Sequence, residues 1–115
     1  MKHIKLVVNN DKIKKGKEEF FIKKELQCIL NLYAKMVSNG SWKDYAFSTG
    51  SREVSFDIYQ RASEKPVIRI TKNLKPKYSN EKFFIKDRNG NVLNKSENLN
   101  YLISKTSWNK LRLIK

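Results

Sequence analysis

Apolar residues recur at Ile22, Leu26, Ile29, Leu30, Tyr33, Met36 and Val37, the spacing of three and four that lines one face of an α-helix. Asn39-Gly40 follows, and both residue types tolerate the left-handed backbone that closes a helix. Cys28 and Leu32 stand one turn apart outside that stripe, which predicts a partly exposed helix flank. Beyond Trp42 to Phe47 and a turn through 48–51, the run from Glu53 to Tyr59 alternates strictly, with Val54, Phe56 and Ile58 pointing inward. Arg61 to Pro66 reads as a turn, and Val67 to Lys72 returns as a strand with Ile68 and Ile70 as its core pair. Asn73 to Asn80 contains Pro76 and has no period, so it is expected to be a loop. Lys82 to Lys86 is a further strand, and Asn89-Gly90 marks a tight hairpin turn into Val92-Leu93.

Ser96 suits the N-cap of a short second helix, with Glu97 in its first turn and Leu99, Leu102 and Ile103 as its apolar stripe. At the ends of the chain, Ile4, Leu6 and Val8 alternate as a short strand, and Leu111 to Ile114 is expected to add an edge strand. This order defines an α+β fold: an antiparallel β-meander of four to six strands, with a long helix in the N-terminal half and a short C-terminal helix packed on one face. Residues 1–19 read as a basic N-terminal strand or arm, and 20–115 as a single α+β domain. A chain of 115 residues supports one continuous core but not two.

Composition narrows the function classes. With 39% hydrophobic and 11% aromatic residues, the chain is expected to fold despite its charge. No apolar run approaches the roughly 20 residues of a membrane-spanning helix, and the first residues lack an apolar secretory core, so a cytoplasmic protein without a membrane partner is expected. The lone Cys28 and lone His3 supply neither an intrachain disulfide nor a zinc ligand set, and no cofactor is expected. No phosphate-cradling glycine loop, dinucleotide fingerprint or serine elbow occurs, and Asp44, Glu53, Asp57 and Glu64 have ordinary roles as turn and surface residues. The chain therefore reads as non-catalytic.

Charge is the strongest signal. Twenty-five Lys and Arg against 11 Asp and Glu give +14, a balance suited to phosphate-rich partners, although drift toward A/T-rich codons would also enrich lysine. If the inward set faces the core, the period of two sends Tyr59, Arg61, Arg69, Lys82, Phe84 and Lys86 to the opposite sheet face. Lys72, Lys75 and Lys77, beside Tyr78, add a basic loop cluster next to Arg69. Rings that stack on bases and cations that meet phosphates are what sheet platforms for single-stranded RNA combine. RNA or another nucleic acid is thus the expected partner. The alternative is a protein partner or homodimer, joined through that face, with Tyr59 and Phe84 as a cross-strand pair, or through the Cys28 and Leu32 flank. The element order also invites comparison with double-stranded RNA binders, but the second helix opens Ser96-Glu97-Asn98 without their lysine cluster.

Glu25-Leu26, Ile29 to Tyr33, Met36-Val37, Gly40, Trp42 to Ala46, Arg61 to Glu64, Pro66 and Arg69-Ile70 together resemble a small alphaproteobacterial domain-of-unknown-function family. The resemblance runs from about Phe20 to the C-terminus, including Leu111 to Leu113, and leaves out residues 1–19. It implies a basic surface that arginine can also carry, and it supplies no catalytic residue. It singles out Trp42, Tyr45 and the Arg61 to Glu64 turn, which read as a core anchor after the helix and an ion pair across the turn, with ligand contact as the alternative. Family members open the helix with an aspartate capping box where this chain has Ile22 ahead of Glu25, which leaves open an earlier start with Glu18 and Glu19 in the first turn.

Overall fold

The computed structural model describes residues 19–60, 65–106 and 108. Helix α1 spans Lys23–Ser38, so the earlier start is not taken. Its N-cap is Ile22, which has no polar side chain to offer the first turn, and Glu25 supplies one instead: its Oε1 accepts the Ile22 N–H at 2.8 Å. At the other end Gly40 N–H donates to Val37 and Ser41 N–H to Met36, with Gly40 at φ +83°. This paired closure needs a left-handed residue, which glycine adopts without steric cost.

The buried face of α1 is Glu25, Leu26, Ile29, Leu32 and Met36. It is rotated from the expected stripe toward Leu32, while Val37 is left exposed. The Cys28 and Leu32 flank therefore buries Leu32 and leaves Cys28 partly exposed. A second helix, α2 (Leu99–Lys105), lies along it, with Cys28 Sγ 3.6 Å from Asn100 Oδ1.

Five antiparallel strands follow in sequence order: β1 (Asp44–Thr49), β2 (Glu53–Tyr59), β3 (Ile68–Asn73), β4 (Phe83–Asp87) and β5 (Val92–Ser96). One 3₁₀ turn, Ser79–Glu81, interrupts the loop between β3 and β4. In register, Phe56 faces Ile70 and Ile70 faces Ile85, so the inward alternation expected of β2, β3 and β4 is continuous across three strands. These residues join Leu26, Ile29, Met36, Trp42, Leu99 and Leu102 in one core, with both helices on the same face of the sheet. Trp42 is buried against the rings of Tyr33 and Trp108, as an anchor after the helix should be.

The β4–β5 connection is the expected tight hairpin turn, with Gly90 N–H donating to Asp87 and Asp87 N–H to Asn91, and the ladder shifts register between Ile85 and Lys86. One local expectation is corrected. Ser96 ends β5 and does not cap α2; Asn98 does, its Oδ1 accepting the Tyr101 N–H at 2.9 Å, and Glu97 precedes the helix. Asparagine is as good an N-cap as serine, and it stands nearer to the apolar positions that must face the core. The expected strands near residues 2–8 and 111–114 lie outside the described residues.

Candidate nucleic-acid interface

Strand alternation that buries the apolar set places a polar row on the opposite face of the sheet. Asp57 of β2 stands opposite Arg69 of β3, which stands opposite Lys86 of β4. Like charges facing each other across strands repel, and this row holds Arg69 beside Lys86. Two carboxylates offset the repulsion: Asp57 Oδ1 lies 3.4 Å from Arg69 Nε, and Glu53 Oε2 lies 3.7 Å from Lys86 Nζ. Lys86 also sits over the Phe84 ring, 5.3 Å from its centroid, a cation–π arrangement. Asp57 itself is buried, and its carboxylate accepts the Ser48 hydroxyl at 2.6 Å and the Ser55 hydroxyl at 2.7 Å.

Where β3 begins and β4 ends, this row opens into a cleft of about 310 Å³ lined by Lys65, Pro66, Arg69, Lys86 and the turn 87–90. Lys65, Arg69 and Arg88 bring cationic side chains to it, and Lys86 lines it with its ammonium turned back toward Phe84 and Glu53. Asp87 is the acid among the described lining residues, and its carboxylate is engaged by its own turn, accepting the Asn89 and Asn91 N–H groups at 2.9 Å each. A concave site lined by one sign of charge focuses the field and concentrates anions.

The structure divides the residues expected to form the interface. Arg69 and Lys86 share the cleft, with Phe84 half-buried one row away. Tyr59 is half-buried where β2 ends, beside the start of β3 and opposite Asp44; it forms no cross-strand pair with Phe84, which faces Thr71 and Lys95. Lys75 and Lys77 are exposed with Tyr78 in the loop after β3, at the end of that strand away from the cleft. Arg61, with its expected partner Glu64, lies outside the described residues.

Lys72 and Lys82 are corrections. Lys72 is not on the loop: it is a β3 residue of the inward set, its side chain 1% exposed, with Nζ donating to Glu25 Oε1 at 2.8 Å and to the Phe20 carbonyl at 3.0 Å. The period of two that buries Ile68 and Ile70 buries Lys72 as well. Lys82 precedes β4 and has a helical backbone, φ −70° and ψ −40°, so strand alternation does not reach it. Its ammonium lies over Phe83, on a separate cleft of about 440 Å³ between the starts of α1 and α2 that Lys24, Cys28, Glu97 and Asn100 also line. Lys65 and Arg88 were not singled out from the sequence. Both stand beyond the strand ends, Lys65 ahead of β3 and Arg88 in the turn after β4, where strand alternation does not reach.

The fold and the cleft together define an α+β domain, a five-stranded antiparallel meander with both helices on one face and a basic cleft at one end of the other. The chain belongs to the family described as Protein of unknown function (DUF2794), which it matches over residues 20–103. No curated protein and no solved structure matches it significantly. Among the described residues no helix is long and apolar enough to cross a membrane.

Proposed function

We propose that this protein is a non-catalytic nucleic-acid-binding accessory protein of the cytoplasm that grips the phosphates of a single-stranded partner, RNA in preference to duplex DNA. The observation that carries the proposal is the convergence of Lys65, Arg69 and Arg88 on one cleft at the end of the polar sheet face, with Lys86 at its edge. A charged central row of Asp57, Arg69 and Lys86 suits a polyanion better than a second protein, whose interface would need an apolar centre. Phe84 beside the row offers a ring to a base, although Lys86 already covers part of it, so phosphate contacts dominate over stacking.

The experiment is direct binding at low salt of the full chain to single-stranded RNA, single-stranded DNA and duplex DNA of equal length. Binding strongest to single-stranded RNA supports the proposal. Absence of binding to all three, or a preference for the duplex, overturns it.

A further inference from the structure

Asp57 is a buried carboxylate in the charged row of the sheet. It stands on the polar face of the sheet, yet its side chain is only 2% exposed, and burying a charge costs stability unless donors surround it. Ser48 and Ser55 each donate a hydroxyl to one of its oxygens, at 2.6 Å and 2.7 Å, which fixes the plane of the carboxylate. The third contact is Arg69, whose Nε lies 3.4 Å from Oδ1 while its side chain is 45% exposed. An ion pair exposed on one side adds little to stability. What this arrangement does supply is a fixed anion beside Nε, which draws the guanidinium from its inner side and leaves its two terminal nitrogens for another ligand, and Arg69 lines the basic cleft.

We infer that Arg69 is the phosphate-gripping fork of the cleft and that Asp57, fixed by Ser48 and Ser55, is its positioning residue. This rests on the phosphate-binding role proposed for the cleft and assigns the ligand: one backbone phosphate of a single strand, held by paired N–H groups of Arg69, with Lys65 and Arg88 as surrounding point charges. Arginine matters here for its planar fork, which lysine cannot reproduce.

Two substitutions separate positioning from charge alone. Asp57→Asn makes the protein more positive, so bulk electrostatics predicts tighter binding to a polyanion, whereas loss of the orienting carboxylate predicts weaker binding. Arg69→Lys preserves net charge and a cation beside Asp57 at a half-exposed position, so it reads the fork even if Asp57→Asn fails to fold. Affinity is measured by fluorescence anisotropy with a labelled single-stranded oligouridylate, on wild type, Arg88→Ala, Asp57→Asn, Arg69→Lys and the Asp57→Asn/Arg69→Lys pair. We expect roughly tenfold weaker binding for Arg69→Lys, weakening in the same direction for Asp57→Asn, and no further loss in the pair, since both act through one guanidinium. Wild type that binds and weakens on Arg88→Ala, while Asp57→Asn and Arg69→Lys bind as tightly as wild type or more so, overturns the inference and leaves the cleft standing. Wild type indifferent to Arg88→Ala overturns the cleft itself.

Discussion

Lys72 Nζ lies 2.8 Å from Glu25 Oε1, and the same oxygen accepts the Ile22 N–H, so one buried ion pair ties the middle strand of the sheet to the first turn of α1. The carboxylate does the work of the missing polar N-cap, and the ammonium neutralises it inside the core. Lys72→Met leaves Glu25 charged and buried without its partner, which is expected to cost about 3–5 kcal/mol. Adding Glu25→Gln, which retains an acceptor for Ile22, is expected to recover part of that loss. Urea unfolding of the two single variants and the pair checks it: additive losses would show that the two residues are not coupled.

The α2 N-cap makes a second prediction. Asn98 Oδ1 accepts the Tyr101 N–H, and a seven-residue helix has few other local supports. Asn98→Ala is expected to cost about 0.5–2 kcal/mol, and Ser96→Ala clearly less, because Ser96 only accepts the exposed Asn98 N–H. Chemical denaturation of both variants gives the comparison, and equal costs would contradict the assigned cap.

A third prediction concerns alkaline pH. Burial, followed by the nearby Asp44 carboxylate, raises the Tyr33 and Tyr45 hydroxyls above the ordinary tyrosine value. The folded state therefore holds these protons more tightly than the unfolded chain. Their contribution to stability is complete below the unfolded value near 10, and it is lost as pH rises from there through the higher folded values. Lysines titrate in the same range, so the difference between wild type and the Tyr33→Phe/Tyr45→Phe variant isolates the effect. The variant should lose less stability than wild type as pH is raised above about 10; parallel losses would contradict the assignment.

The architecture was legible because its signals repeat. Val54, Phe56 and Ile58 against Ile68 and Ile70 define a hairpin by periodicity, and Asn39-Gly40 closes α1 through backbone geometry that few other pairs allow. What failed were positions decided by a single long-range partner. Lys72 reads as part of the basic loop cluster when charge is weighed above parity, and its partners Glu25 and the Phe20 carbonyl, far away in sequence, explain a lysine in the core. Leu32 looked exposed because periodicity within α1 carries no information about α2 covering that flank. Half of the candidate interface was readable: parity put Arg69, Phe84 and Lys86 on one face. Lys65 and Arg88 join them only because two turns fold toward the same end of the sheet, which no local pattern encodes.

Whether the cleft or the overall charge of the chain engages nucleic acid is decided by the salt dependence of binding. Lys65→Ala/Arg88→Ala and Lys75→Ala/Lys77→Ala each remove two exposed positive charges, the first pair from the cleft and the second from the loop at the opposite end of β3. Affinity for a single-stranded oligoribonucleotide is measured across a salt series for wild type and both variants. If the cleft grips phosphates, the slope of log affinity against log salt becomes shallower by about 1.4 for the cleft variant, roughly 0.7 per lost phosphate contact, and changes much less for the loop variant. Equal slopes for the two variants, or no measurable binding by wild type at low salt, would contradict the account.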